Sequence, residues 1–141
     1  MKVFLDTNVL LDVFDAQRDA HTASLTIFIA AEQQRLEPVI TGLSLVNAEY
    51  VLGKQGVKRS DRERFVNDIL LLSSTASTDG EQLRSALAGE WPDFEDAVQY
   101  HAALSSGRVQ AIITSDTKGF KRSRIPVFTP EQFVNEHLQG P

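Results

Sequence analysis

No cysteine occurs anywhere in the 141 residues. That rules out a disulfide scaffold, thiol catalysis and the usual Cys-ligated zinc finger, and it fits a reducing compartment. Histidine is scarce as well: His21, His101 and His137 share no metal-ligand spacing and are expected to be structural or exposed. Long apolar runs are missing, since no stretch approaches the ~18 residues that a membrane span needs. Met1-Lys2 is followed by only three apolar residues before Asp6, which is unlike a secretory leader. A cytoplasmic protein with no membrane partner is therefore expected. Neither G-x-G-x-x-G nor G-x-x-x-x-G-K is present, so no glycine-rich phosphate cradle supports a nucleotide-binding fold.

Positive charge is also short, with 14 Lys and Arg against 19 Asp and Glu and a net charge of −5. A nonspecific nucleic-acid binder generally presents a basic face, and the totals alone speak against one. That argument weakens if several acids gather around divalent ions, which would leave the remaining surface close to neutral. What the chain does have is 42% hydrophobic residues, enough at this length for one domain, residues 1–141, to bury a core unaided.

Apolar runs and helical stripes alternate along it. "VFL" (3–5) reads as a buried strand ending at Asp6, and residues 8–15 as one or two helical turns. Residues 21–34 carry a stripe at Leu25, Phe28, Ile29 and Ala31. "PVITG" (38–42) is β-branched and stopped by glycine. A helix holding Leu45, Val46, Ala48, Glu49 and Leu52 follows, started at or near Ser44 and closed by Gly53. Residues 60–72 make another helix with Ser60 as N-cap. Residues 73–78 read as a poor edge strand or a loop, and 80–89 as a helix. Asp93 to Ser106 is a helix bounded by Pro92 and by Gly107 as the residue after the cap. "QAIIT" (110–114) and "IPVFT" (125–129) are strands, and Pro130 opens a last helix. Alternation of this kind predicts α/β architecture: a parallel sheet covered by helices on both faces.

In such a sheet, ligands collect outside the carboxyl edge. Asp6 follows the first strand and Asp116 the "QAIIT" strand, so both lie there. The helix 93–106 runs back into that strand, which puts Asp93 and Asp96 of its first turn at the same edge. Glu49 starts further down its helix, roughly 8 Å from the rim. Each acid has an ordinary role: Asp93 and Asp96 as a capping-box-like start, Asp6 or Asn8 as a cap, Asp116 in an Asx-turn. Asp12 reads as a solvated helix residue. Together they are harder to explain, because two carboxylates ~4 Å apart repel by roughly 4 kcal/mol at an effective dielectric near 20. All-oxygen ligands select Mg²⁺ or Mn²⁺, and an acidic pocket of that kind without a cysteine nucleophile points to phosphoester chemistry.

"FLDTNVLLD", "NAEYVL", "DFEDAVQ" and "IITSDTKGF", in that order, resemble the acidic motifs of the PIN-domain ribonucleases, especially the small prokaryotic members, many of them toxins of toxin–antitoxin pairs. The resemblance implies Asp6, Glu49, Asp96 and Asp116 as a catalytic, metal-holding quartet with Asp93 as auxiliary acid. Thr7, Asn8 and Thr114 would be supporting hydrogen-bonding residues. One or two Mg²⁺ or Mn²⁺ ions would serve endonucleolytic hydrolysis of RNA, leaving a 5′-phosphate and a 3′-hydroxyl. Toxin members pair with a separately encoded antitoxin that blocks the site, and members often form homodimers. Two positions depart from the family pattern: Ser115 stands where an Arg or Asn is usual, and Gly119 where an acid often precedes the Phe.

RNA also needs cations. Lys118, Lys121, Arg122 and Arg124 follow Asp116 directly and are candidate phosphate contacts, whereas Lys54, Lys58, Arg59, Arg62 and Arg64 read as a surface helix. Phe120 could stack on a base but as a lone loop aromatic is more simply buried, and Trp91 belongs to a core or interface. A haloacid-dehalogenase-like phosphatase needs a second acid where Asn8 stands. The alternatives left open are a degenerate, non-catalytic module that binds RNA or a protein, and a structure-specific DNA nuclease.

Overall fold

The computed structural model describes residues 1–139. Five strands, β1 (Lys2–Leu5), β2 (Glu37–Thr41), β3 (Ser74–Ala76), β4 (Ala111–Ile113) and β5 (Val127–Phe128), form one parallel sheet in the order β3-β2-β1-β4-β5. They alternate with helices α1 (Thr7–Phe14), α2 (His21–Glu32), α3 (Gly42–Lys54), α4 (Arg59–Leu72), α5 (Gly80–Ala88), α6 (Phe94–Ser105) and α7 (Pro130–Phe133). The last helix runs directly into a π-turn over Val134–Leu138, and a 3₁₀ turn spans Thr117–Phe120.

Strand side chains alternate between two cores, which makes the fold three-layered. Val3, Leu5, Ile40, Ala111 and Ile113 pack with residues of α1, α2, α3, α4 and α7. Phe4, Val39, Ala76 and Ile112 face the other way, against Tyr100, Ala102 and Ala103 of α6. Both cores exclude water from the central strands, so these strands read as unbroken apolar runs rather than alternating ones. Among the described residues no helix is long and apolar enough to cross a membrane.

Chain direction reverses its walk across the sheet between β1 and β4, and the loops leaving those two strands diverge there. This is the crevice where open α/β sheets take ligands. α6 is capped where expected: Asp93 accepts from the Asp96 amide at 3.0 Å, and Gly107 adopts a left-handed φ of 68° after the helix.

Four local readings shift. Thr41 caps α3, its hydroxyl accepting from Ser44 N at 3.0 Å, so Gly42 opens the helix instead of closing the strand. The helix then passes Gly53 and ends at Lys54, with the left-handed turn at Gly56. α4 starts at Arg59 without a side-chain cap, placing Ser60 inside its first turn. Residues 74–76 resolve the strand-or-loop ambiguity as an edge strand paired with β2. In α2, Phe28 and Ala31 are buried with Ser24 and Ile27, while Leu25 and Ile29 are exposed.

Candidate functional site

Asp6 leaves β1 at its carboxyl end and is 5% exposed. Its carboxylate accepts four hydrogen bonds: from Thr7 N (2.8 Å) and Gln99 Nε2 (3.4 Å) on Oδ1, and from Thr114 Oγ1 (2.8 Å) and Asn8 Nδ2 (3.1 Å) on Oδ2. Burial raises its pKa, and the bonds from Thr114, Thr7, Gln99 and Asn8 oppose that rise. Thr7, Asn8 and Thr114, the residues expected to support the site, each bond to the Asp6 carboxylate. Asn8 also accepts from Ser115 N at 3.0 Å, and Thr114 Oγ1 accepts from Asp116 N at 3.0 Å. The loop after β4 is in this way tied to the loop after β1.

Behind Asp6 lies a polar network that sequence reasoning missed. Gln99, fully buried on α6, takes a hydrogen bond from Thr41 Oγ1 at 2.8 Å and donates to Ser44 Oγ. Thr7 Oγ1 lies 2.8 Å from the same Ser44 oxygen. Gln99 therefore joins α3, α6 and the end of β1. A signal existed: Gln99 is three residues after Asp96, which puts both on one helix face.

Asp96, half-buried in the first turn of α6, carries a pKa pushed up to about 7. Burial is the main cause, followed by repulsion from Asp6, Asp93, Asp116 and Glu95. Asp116 caps the 3₁₀ turn, Oδ1 accepting from Gly119 N at 3.4 Å. Oxygens of Asp96 and Asp116 both crowd the Cα of Gly119: a methyl built there would overlap Asp96 Oδ2 and stand 3.1 Å from Asp116 Oδ2. The structure thus brings Asp6, Asp93, Asp96 and Asp116 to one rim, together with Glu95, whose own pKa is raised by partial burial and by Asp6 and Asp93.

Glu49 is placed differently. It sits seven residues into α3, about 10 Å along the axis, and its carboxylate pairs with Arg62 of α4. Ser44 faces the site, and five residues at 100° each turn Glu49 well away from that face. Asp12 corrects the sequence reading: it is 2% exposed, not solvated. Its carboxylate accepts from Arg18 Nε at 2.7 Å and Ser24 Oγ at 3.3 Å, and reaches Ser115 Oγ at 3.5 Å. That contact braces the loop carrying Asp116 from below.

Lys118, Lys121, Arg122 and Arg124 are exposed beside the rim, Arg122 making one loose contact of 3.8 Å with Glu90. Phe120 is buried at 1% and packs edge-on against Trp91, which in turn lies on Tyr100. It offers no platform to a base. The histidines stay out of the site, His21 bonding to the Asp12 carbonyl and His137 packing on Phe133.

None of the ion pairs among the described residues involves Asp6, Asp93, Asp96 or Asp116. A group of like charges lacking a counter-charge, offering only oxygen donors, suits a hard divalent cation. Among the described residues no three His, Asp or Glu side chains already surround a single ion-sized point.

A parallel three-layer α/β fold with carboxylates at the β1/β4 crevice defines the class, and the comparisons agree. The chain belongs to the PIN domain family, whose model matches residues 2–118. It is similar to "Ribonuclease VapC1" of Aquifex aeolicus (strain VF5), 30% identical over 136 residues that cover 94% of this chain and 92% of that protein. Its fold is that of a chain in the crystal structure of VapBC2 from Rickettsia felis bound to a DNA fragment from their promoter. That match has a TM-score of 0.61 at 17% identity and covers 92% of this chain and 98% of the other.

Proposed function

We propose that residues 1–141 form one PIN domain that acts as a divalent-metal-dependent endoribonuclease, the toxin of a toxin–antitoxin pair working in the cytoplasm. The observation that carries this reading is the uncompensated acid group at the β1/β4 crevice, flanked by the exposed basic loop 118–124. The relative named a ribonuclease, and the VapBC2 crystal structure in which one chain has this fold, point the same way.

Asp96 and Asp116 would hold the ion, Mg²⁺ or Mn²⁺, with Asp6 completing the set and Asp93 as auxiliary acid. When bound, the cation would supply Lewis-acid activation of water and charge neutralisation at the phosphate. Thr114, Asn8, Thr7 and Gln99 hold Asp6 in one orientation, and that preorganisation is what the buried network contributes. Lys118, Lys121, Arg122 and Arg124 would take the RNA backbone on either side of the cleaved bond. Hydrolysis adds water to phosphorus and releases the 3′-oxygen, which leaves with a proton. Glu49, the fourth acid implied by the family motifs, would contribute only by releasing Arg62.

That same Glu49–Arg62 pair, with four donors already on Asp6, favours the non-catalytic module as the second reading. One experiment separates them. Labelled single-stranded RNA and DNA are incubated with the protein and Mn²⁺, Mg²⁺ or EDTA, beside an Asp96→Asn variant. Metal-dependent RNA cleavage lost in the variant is expected. Cleavage of DNA alone would change the substrate, and metal-independent or variant-insensitive cleavage would sink the site assignment. Absence of both cleavage and Mn²⁺ binding would establish the non-catalytic reading.

A further inference from the structure

Arg18 sits in the turn between α1 and α2, and its backbone is pinned there on both sides. Its N–H donates to the Asp15 carbonyl and its carbonyl accepts from His21 N, each at 3.1 Å. The side chain is anchored as well. Nε donates to Asp12 Oδ1 at 2.7 Å, and Asp12 is 2% exposed while the arginine side chain stays 35% exposed. A buried carboxylate needs a cation, and a single nitrogen meets that need. The two terminal nitrogens of Arg18 have no acceptor among the described residues. They leave half of a planar fork free, the shape that matches a phosphate.

The other Asp12 oxygen reaches Ser115 Oγ at 3.5 Å, in the residue just before Asp116. Arg18 and the loop carrying Asp116 thus meet on one carboxylate. α1 and α2 belong to the core on one face of the sheet. Phe120, just ahead of Lys121, Arg122 and Arg124, packs into the core on the other face. Cations therefore flank the crevice from both sides.

We propose that Arg18 is an RNA contact: its free guanidinium fork, oriented by the buried Asp12, takes a backbone phosphate on the α1–α2 side of the crevice. The inference rests on the ribonuclease reading above, and it extends the basic track of loop 118–124 across the rim. The phosphate bound is a flanking one and not the one that is cut, so Arg18 acts on the hold of the strand and leaves the metal centre alone.

Arg18→Gln by itself would strand the Asp12 charge in the interior. The test variant is therefore Asp12→Asn/Arg18→Gln, which keeps a neutral hydrogen-bonding pair and the net charge of −5. Binding of a labelled single-stranded RNA is followed by anisotropy in EDTA over a range of salt, and melting temperature checks the fold. The double variant is expected to bind about fivefold more weakly at 0.1 M salt, with the slope of log affinity against log salt flatter by about 0.7, the share of one phosphate on a single strand. Its Mn²⁺ affinity by calorimetry is expected to stay within about twofold. An unchanged slope would overturn the inference and leave the ribonuclease standing. A loss of RNA and Mn²⁺ affinity together would trace the effect to a displaced Asp116 loop and also overturn it. No RNA binding by the parent chain in EDTA, with Mn²⁺-dependent cleavage intact, would overturn this inference alone; neither binding nor cleavage would overturn both. Should the double variant melt below the assay temperature, Arg18→Lys takes its place. Its one nitrogen stays on Asp12, the same flattening is expected, and an unchanged slope would overturn the inference.

Discussion

Gln99 Nε2 lies 3.4 Å from Asp6 Oδ1, across 93 positions of sequence, and the same amide donates to Ser44. One buried side chain thus holds the site's most buried acid against two helices. Replacing it with leucine keeps the volume roughly constant but leaves Thr41, Ser44 and Asp6 short of partners. The expected loss is about 1–3 kcal/mol, the range for an unsatisfied buried polar group. Urea denaturation of Gln99→Leu measures it, and a change under a few tenths would mean the network is not structural.

Asp96 makes stability depend on pH with a definite sign. Its folded carboxyl titrates near 7, above the ordinary carboxylate range. Between that range and about pH 7 the folded chain therefore binds more protons than the unfolded one, and this group makes stability fall as pH rises. Below the window it contributes no slope, and above it the loss is complete. Denaturation in EDTA at pH 5 and pH 8 is expected to show a larger decline for the parent chain than for Asp96→Asn. Equal declines would remove Asp96 as the cause. Mn²⁺ binds the charged form, so at pH 8 a hundredfold excess over its dissociation constant should restore about 2.7 kcal/mol.

Glu49 and Asp116 are expected to behave differently, although the family motifs assign them the same role. Asp116→Asn should abolish Mn²⁺ binding, because its oxygen faces Asp96 at the rim. Glu49→Gln should leave binding within about twofold and cost about 1 kcal/mol or less, as partly exposed ion pairs do. Comparable losses of affinity in the two variants would show that Glu49 leaves Arg62 to join the centre.

The basic loop should act through charge alone. Replacing Lys121, Arg122 and Arg124 together by Gln is expected to weaken binding of single-stranded RNA. The slope of log affinity against log salt should flatten by about 0.7 for each phosphate that is no longer neutralised. An unchanged slope would place the RNA elsewhere. Mn²⁺ affinity should not change, since none of the three touches the acid group.

Much of this protein was legible in its residues because the signals act over three or four positions. The cap of Asp93 on α6, its stop at Gly107 and the apolar runs of β1, β2 and β4 depend on neighbours in sequence. Parallel topology then carries Asp6, Asp96 and Asp116 to one edge whatever the side chains do. Glu49 could not be placed from sequence, because its partner Arg62 lies on α4 and meets it only once α3 and α4 are packed. Asp12 looked solvated because its partners, Arg18, Ser24 and Ser115, meet it only once α1, α2 and the loop after β4 are packed. The partners of Gln99 on Thr41 and Ser44, and the space at Gly119, were hidden for the same reason. Sequence determined which elements form and which acids reach the rim, since backbone periodicity and strand order suffice for that. Tertiary packing alone decided which acids face one another, because a side chain's orientation depends on neighbours that are distant along the chain.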